Sequence, residues 1–461
     1  MRDALAGVAV ADLDLAVDDD PAQTGADIGR LLGGRPVTLD ERRGIVRVVG
    51  TDEGRGPVID LAPVQGGIMA DLAQRDFTVD AMALPIEHID DDDIAGKVID
   101  PHGGRRDLAQ AVIRAVSPGV FADDPARLMR APRLASQLRF TIDDETARLI
   151  RRDTALISDV APERVRDELM KLLQQPEPAR SLRMLDDLGL LCAIIPELRE
   201  SKGVTQPKEH HWDVFDHCVE SAGQVERLLQ DPPGSQGYPH NQAPRFESMD
   251  AYFAQAVGDG YRRLELLKLT GLLHDISKPA TRTVEASGRI RFLGHHSEGA
   301  TVAGRVLTRL RFSGTSVGLV SRMVLHHLRP SQMAEKGMLP TPRAIYRYYR
   351  AAGDAAIDTL YLNMADYLAA RGPDLVSRDW ESHCQVIGHI LCEGLAPAAG
   401  DHAPRLIDGD VIMSSFSLPP GPEVGRLVEL VREAQSSGEI STRQEAIELV
   451  ESSLRNGGSG A

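Results

Sequence analysis

Near Val112 the chain changes texture, and that change restricts its fold more than any other feature. Before it, short apolar runs are broken by Gly and Asp turns; GIVRVVG, PVIDLAPV and GKVIDPHGG each read as a strand between turn formers. After it, apolar residues recur with the 3.6-residue period of a helix nearly to the C-terminus. The prediction is an α+β chain: a small mixed-sheet head (1–115), then an all-α neck (116–200), a helical body (205–370) and a helical tail (371–461). A length of 461 residues fits several cores better than one. Breaks are expected at Pro176–Pro178 and Ser201–Pro207, with an exposed, mobile insertion at Asp231–Pro244, a loop at Gly394–Pro404 and a flexible tail at Asn456–Ala461.

Composition removes several classes of function. The chain is 42% hydrophobic and 26% charged, as soluble globular proteins are. Its longest tempting apolar run, Leu188–Ile195, is too short to span a membrane and contains Gly189. Four scattered cysteines form no C-x-x-C pair, which points to free thiols in a reducing cytoplasm. A net charge of −16 argues against indiscriminate coating of nucleic acid while leaving room for a local basic groove. No protein partner is evident.

The segment VADLDLAV, Val10 to Val17, places two carboxylates in an otherwise apolar strand. Side chains at i and i+2 share a face, so Asp12 and Asp14 project together while Leu13 and Leu15 are expected to turn into the core. Adjacent like charges repel unless a cation lies between them, and a hard divalent ion such as Mg²⁺ suits oxygen donors. The plain alternative is an edge strand with a wet acidic face. Further on, DLAQRDFTVDAMAL (Asp71–Leu84) sets Arg75 before an apolar segment, where its guanidinium can clamp phosphate oxygens. DPHGGRRDL (Asp100–Leu108) contains a Gly103–Gly104 turn. In VFADDPARLMRAPRLASQLRF (Val120–Phe140), Asp123 or Asp124 can cap a helix with Pro125 in its first turn. Arg127, Arg130 and Arg133 then share one face. A salt-bridged surface helix is the commoner meaning of that pattern.

Taken in order, these segments resemble the class II tRNA nucleotidyltransferase and bacterial poly(A) polymerase superfamily. Its D-x-D matches Asp12 and Asp14, its R-R-D-F-T-x-N-A-x-A matches Gln74–Ala83, and its E-D-P-x-R-x-x-R-x-x-R matches Asp123–Arg133. ERVRDELMKLL (Glu163–Leu173) is similar to the neck helix, and Leu406–Thr442 to the C-terminal helical region. The resemblance implies that Asp12 and Asp14 hold the Mg²⁺ ions that activate an RNA 3′-hydroxyl and neutralise a triphosphate. Asp60 is the candidate third carboxylate; a turn-proximal solvated Asp is the equal alternative. The same resemblance makes Arg2 and Arg75 nucleotide contacts. It gives the base edge to Asp124 and Arg127, and support of base and phosphates to Arg130 and Arg133.

Four departures stand against the family pattern. Asp80 replaces Asn and Gln74 replaces Arg, which removes neutral or positive character near phosphate. Pro132 falls inside the arginine helix, where proline costs about 3 kcal/mol or forces a kink. The family's G-G-x-V-R-D is reduced to Met1-Arg2-Asp3, with Met1 where valine stands. That reading expects the natural start to lie upstream, with a glycine turn that cradles phosphate.

The helical body carries a second constellation. Twelve of the 14 histidines fall between His210 and His402. His217, His274-Asp275, His295, His327 and Asp366 follow an order that resembles the HD phosphohydrolase superfamily. Imidazole plus carboxylate suits a transition metal such as Mn²⁺, Ni²⁺, Fe²⁺ or Zn²⁺, and Lys278 is placed to hold phosphate. His296 and His326 are alternates that the sequence does not rank. A scaffold that binds RNA without metal is the plain alternative.

Three activities follow. The first is template-independent addition of CCA, or part of it, to the 3′ end of tRNA from CTP and ATP. The second is poly(A) polymerisation on broader RNA. The third is HD phosphohydrolysis with a head that only binds RNA.

Overall fold

A computed structural model describes the chain except residues 9, 11, 42, 51–57, 65, 92, 232–235, 335–337, 397–404 and 458–461. Contacts divide it into two compact units, Met1–Leu172 with Met184–Ile194, and Leu173–Arg183 with Ile195–Ala461.

The first unit is built on a mixed four-stranded sheet in the order β1-β4-β3-β2, from β1 (Asp12–Val17), β2 (Arg35–Asp40), β3 (Ile45–Val49) and β4 (Val58–Pro63). β1 runs parallel to β4, and the other pairs are antiparallel. The Pro21–Leu32 helix covers one face. Asp20 caps it by accepting from the Ala22 amide, Pro21 sits in its first turn, and Gly33 ends it at a φ of +66°. It lies close to the sheet because Gly25 faces Val46; a Cβ there would stand 2.9 Å from Val46 Cγ1. Val48, Ile59 and Leu61 form the core beneath, with Leu15, Val17 and Ile28 packed against them.

Leu13 departs from expectation. It points to this covered face yet remains 39% exposed, because β1 is the edge strand and only β4 flanks it. GKVIDPHGG is no strand either. It pairs only at the single bridge Ala83↔Ile99, and Asp100 turns the chain into the next helix by accepting from the Gly104 and Arg105 amides. β2 was missed, since both Val37 and Leu39 are exposed and no buried face marks it. Short strands also interrupt the helical region. Val112–Ile113 pairs with Thr141–Ile142, and Arg282–Val284 with Ile290–Phe292.

The Arg127–Leu138 helix runs through Pro132 without a break. It begins after a turn in which Asp124 accepts from the Ala126 amide, so Pro125 precedes the helix and Asp123 does not cap it.

The second unit is helical. Val214–Gln230, Arg263–Leu273, His295–Arg309, Gly314–His326 and Ala356–Arg371 pack through apolar faces. A satellite core from Ile407 to Val450 closes the C-terminal helices. Glu433 ties that region back by accepting from Arg343 and Arg347. The expected mobile insertion is anchored where it is described. Trp380 Nε1 donates to the Pro239 carbonyl at 2.9 Å, Tyr361 Oη donates to the Pro244 carbonyl at 2.6 Å, and His240 is buried. Its residues 232–235, like most of the Gly394–Pro404 loop and the last four residues of the tail, lie outside the described residues. Among the described residues no helix is long and apolar enough to cross a membrane.

Candidate functional site

Strand periodicity puts Asp12 and Asp14 on the uncovered face of β1. Parallel register then sets Asp60 of β4 directly beside Asp14. Burial raises the Asp14 carboxyl above its ordinary range; the Asp12 and Asp60 charges add to the rise and Arg75 opposes it. Three carboxylates and two guanidinium groups, Arg75 and Arg47, therefore share this patch. Hard oxygen donors crowded on one face, with their charge only partly balanced, fit a divalent cation such as Mg²⁺. Arg75 also chelates Asp71 Oδ2 at 2.9 and 3.1 Å. Arg2 donates to Asp80 and Asp3, each at 2.8 Å. Asp80 is raised by its burial despite Arg2. The departure to Asp at that position thus comes with a guanidinium partner.

The arginine helix is tied into the unit by every one of its three arginines. Arg127 donates to the Gln74 carbonyl at 2.7 Å, which fixes it beside the segment that carries Arg75. Arg130 donates to Asp76 Oδ2 at 2.6 Å, and Asp76 also accepts from the Phe77 amide. Arg133 donates to Glu168 at 2.5 Å. Asp124 lies 3.4 Å from Arg164. The salt-bridged reading of this helix is therefore met in its contacts, yet Asp124 and Arg127 keep polar atoms at one end. Sequence reading assigned no role to Arg164 or Glu168, although both lie in the quoted ERVRDELMKLL segment with an i,i+4 spacing that puts them on one face.

In the second unit five helical segments converge on one buried cluster. His217 comes from Val214–Gln230, His274 and Asp275 follow Arg263–Leu273, and His295 opens His295–Arg309. His327 ends Gly314–His326, and Asp366 lies in Ala356–Arg371. Two ligand groups result: His217, His274, Asp275 and Asp366, then Asp275, His295 and His327. Asp275 belongs to both. Its Oδ2 is 3.3 Å from His217 Nε2 and 3.2 Å from His274 Nε2, while its Oδ1 is 3.2 Å from His295 Nε2 and 3.7 Å from His327 Nε2. Asp366 Oδ1 is 3.1 Å from His217 Nε2.

The Nδ1 atoms of His274, His295 and His327 stand 2.6–2.8 Å from the carbonyls of Gly271, Phe292 and Val324. Assigning the Nδ1 hydrogens to those carbonyls leaves each Nε2 lone pair aimed at the centre, the arrangement metal-binding imidazoles use. The Nε2 atoms of His217 and His274 are 3.2 Å apart, and those of His295 and His327 are 3.4 Å apart. Neither carboxylate oxygen of Asp275 accepts a well-formed hydrogen bond. This donor set fits divalent transition-metal ions. Protonation is the other way to place positive charge here. Burial opposes it at His274, but Asp275 and Asp366 prevail and the imidazole rises to about 10. At His327 burial and the nearby His274 lower it to about 3.

Lys278 does not stand free for phosphate. Its ammonium is buried and reaches Asp275 Oδ2 at 2.5 Å and Gln206 Oε1 at 2.7 Å, which leaves one of its three N–H donors for a phosphate. His296 and His326 fall outside both ligand groups. His210 was overlooked. Its ring lies 5.4 Å from that of His217, its Nδ1 is buried without a partner, and burial with Lys278 lowers it to about 3. Its place among the clustered histidines was the only signal for it.

Comparison with known proteins agrees in order and extent. Residues 47–114 match the Poly A polymerase head domain, 139–202 the probable RNA and SrmB-binding site of polymerase A, and 214–371 the HD domain. An A-adding tRNA nucleotidyltransferase of Deinococcus radiodurans is 34% identical over 98% of this chain and 93% of its own. A CC-adding tRNA nucleotidyltransferase of Thermus thermophilus is 30% identical over 97% and 90%. A Thermotoga maritima CCA-adding enzyme complexed with tRNA has the same fold, with a TM-score of 0.60 at 19% identity over 98% of this chain and 89% of that one. With its sheet carboxylates, arginine helix and buried histidine cluster, this chain belongs to the tRNA nucleotidyltransferase family.

Proposed function

We propose that this protein adds nucleotides from CTP and ATP, without a template, to the 3′ end of tRNA, completing CCA or part of it. The observation that carries this reading is the register that sets Asp60 beside Asp14 on the face Asp12 shares, in a chain of this family. Asp12 and Asp14 would hold Mg²⁺, with Asp60 beside them. When bound, the ion supplies positive charge where a triphosphate and an attacking 3′-oxygen would repel.

The remaining work belongs to the chain's own groups. Arg75 and Arg2 face the triphosphate as fixed cations. Asp124 offers acceptors and Arg127 donors to a base edge, so side chains replace a template strand. Arg130 and Arg133, held by Asp76 and Glu168, keep that end of the helix rigid. Residues 1–115 would form the transferase head, 116–200 the neck that selects nucleotides and contacts RNA, 205–370 the HD body and 371–461 the tail. The protein would act in the cytoplasm.

The HD cluster would hold one or two ions of Mn²⁺, Fe²⁺, Ni²⁺ or Zn²⁺ and support hydrolysis of a phosphodiester. The buried, convergent ligand groups support that second reading.

Labelled CTP and ATP offered with tRNA lacking its 3′ end separate the possibilities. CTP followed by ATP gives full CCA addition, and one nucleotide alone gives a CC- or A-adding enzyme. ATP on many RNAs gives a poly(A) polymerase. No incorporation leaves the phosphohydrolase reading and refutes the transferase.

A further inference from the structure

The uncovered face of the sheet carries one cross-strand row: Asp14 on β1, Asp60 on β4, Arg47 on β3 and Val37 on β2. Arg47 Nε donates to Asp60 Oδ1 and its Nη2 to Oδ2, each at 2.7 Å. Such a bidentate pair occupies both carboxylate oxygens in one plane. The neighbours of Arg47 along β3, Val46 and Val48, are buried on the opposite face, so core packing does not call for an arginine here. Asp60 raises the Arg47 guanidinium, and Asp12 and Asp14 add to the effect. Asp12 and Asp14 have no side-chain hydrogen-bond partner among the described residues. The face that Asp12 shares with this row therefore holds two kinds of carboxylate, Asp60 clamped and Asp12 and Asp14 available.

Resting on the sheet-site reading above, we propose that Arg47 is a positioning residue for nucleotide transfer: by holding both oxygens of Asp60 it withholds that carboxylate from the ion, leaving Asp12 and Asp14 as the ligands. Three unclamped carboxylates would carry a charge of −3 and grip a free divalent ion by themselves. Arg47 cancels one of those charges on Asp60, so the ion is held more loosely until a triphosphate adds its own oxygens. Arg47 thus sets how strongly ion binding depends on the nucleotide. An unclamped Asp60 would also be free to swing toward Asp14 and crowd the ligands.

The test uses Mn²⁺ alone as the probe, titrated into the full chain in an Asp275→Asn background, which removes the donor shared by both histidine ligand groups. Any Mn²⁺ still bound when Asp12→Ala is added is subtracted as the histidine-cluster contribution. Arg47→Met should bind Mn²⁺ about tenfold more tightly than its parent, a coupling of the size that contacting charges show. Arg47→Lys, which keeps the charge but not the fork, should fall between them. Adding Asp60→Asn to Arg47→Met should restore the parental affinity. In chains with Asp275 intact, the Mg²⁺ concentration that half-saturates CTP incorporation should drop in Arg47→Met.

A purely structural role for Arg47 predicts lower thermal stability with unchanged Mn²⁺ affinity and Mg²⁺ dependence; that result overturns the proposal. So does a double variant that binds as tightly as Arg47→Met. If Asp12→Ala in the same background keeps the parental Mn²⁺ affinity, the sheet holds no ion and the underlying reading fails, whatever Arg47 does. Should Arg47→Met not fold, Arg47→Lys carries the test, and Mn²⁺ affinity and Mg²⁺ dependence equal to the parent's in Arg47→Lys overturn the proposal.

Discussion

Asp275 gives the helical unit a prediction that can be counted. Its two oxygens face different ligand groups, Oδ2 toward His217 and His274 and Oδ1 toward His295 and His327. Asp275→Asn replaces a shared anionic donor with a neutral one of the same shape and should empty both groups. His217→Ala removes a ligand from the first group only, and His327→Ala from the second only. An ion present at 100 times its dissociation constant adds about 2.7 kcal/mol to the stability of the form that binds it. Each single-group loss should therefore cost about that much, and Asp275→Asn about twice as much. The assay is metal analysis of protein purified without chelator, joined to urea unfolding with and without EDTA. The expected order of bound metal is wild type, then the two alanine variants near half, then Asp275→Asn near zero. EDTA should destabilise the wild type and leave Asp275→Asn unmoved. An Asp275→Asn chain that keeps the wild-type metal content, or a wild type that carries none and ignores EDTA, would refute the reasoning.

Two further outcomes are expected. Arg127→Ala should lose discrimination among nucleotides more than triphosphate binding, because each bidentate base contact is worth about 1–3 kcal/mol; an unchanged preference for CTP and ATP over GTP and UTP in single-nucleotide incorporation contradicts the assignment. Asp358 is buried beside Arg263 and Tyr252, and burial raises it to about 6 from an ordinary 3.8. The folded state then binds the proton more tightly, so this contribution is complete below pH 3.8 and is lost as pH rises through about 6. Urea unfolding at pH 4.5 and 7 should show the wild type losing about 2 kcal/mol relative to Asp358→Asn across that window, and parallel curves would contradict it.

What the sequence disclosed depended on whether the signal was local. Asp12 and Asp14 could be placed on one face because a strand repeats every two residues. Their neighbour Asp60 remained one of two equal readings, since the pairing that sets it beside Asp14 joins strands 46 positions apart and leaves no local mark. Arg47 went unnoticed for the same reason. The burial of Leu13 was misjudged because alternation reports which face a side chain takes, while its cover depends on β1 lying at the sheet edge. GKVIDPHGG has strand-like composition, yet a strand needs a partner along its length and only Ile99 found one.

Pro132 sits in an intact helix, where burial among apolar neighbours outweighs a local preference. The expected insertion after Asp231 shows the converse. Its Pro- and Gly-rich composition hid the tertiary hydrogen bonds from Trp380 and Tyr361 that fix it. The histidine cluster was legible as an ordered set through resemblance alone. That Asp275 divides its oxygens between two groups required coordinates.

If the acidic face of β1 serves nucleotide transfer, alanine at Asp12 or at Asp14 should abolish that reaction and little else. Incorporation of labelled CTP and ATP into tRNA lacking its 3′ end should be measured in Mg²⁺ beside binding of the same tRNA. Either variant should lose incorporation while tRNA binding stays close to that of the wild type, because RNA affinity comes from arginines elsewhere on the chain. Near-normal incorporation by Asp12→Ala or Asp14→Ala would contradict it.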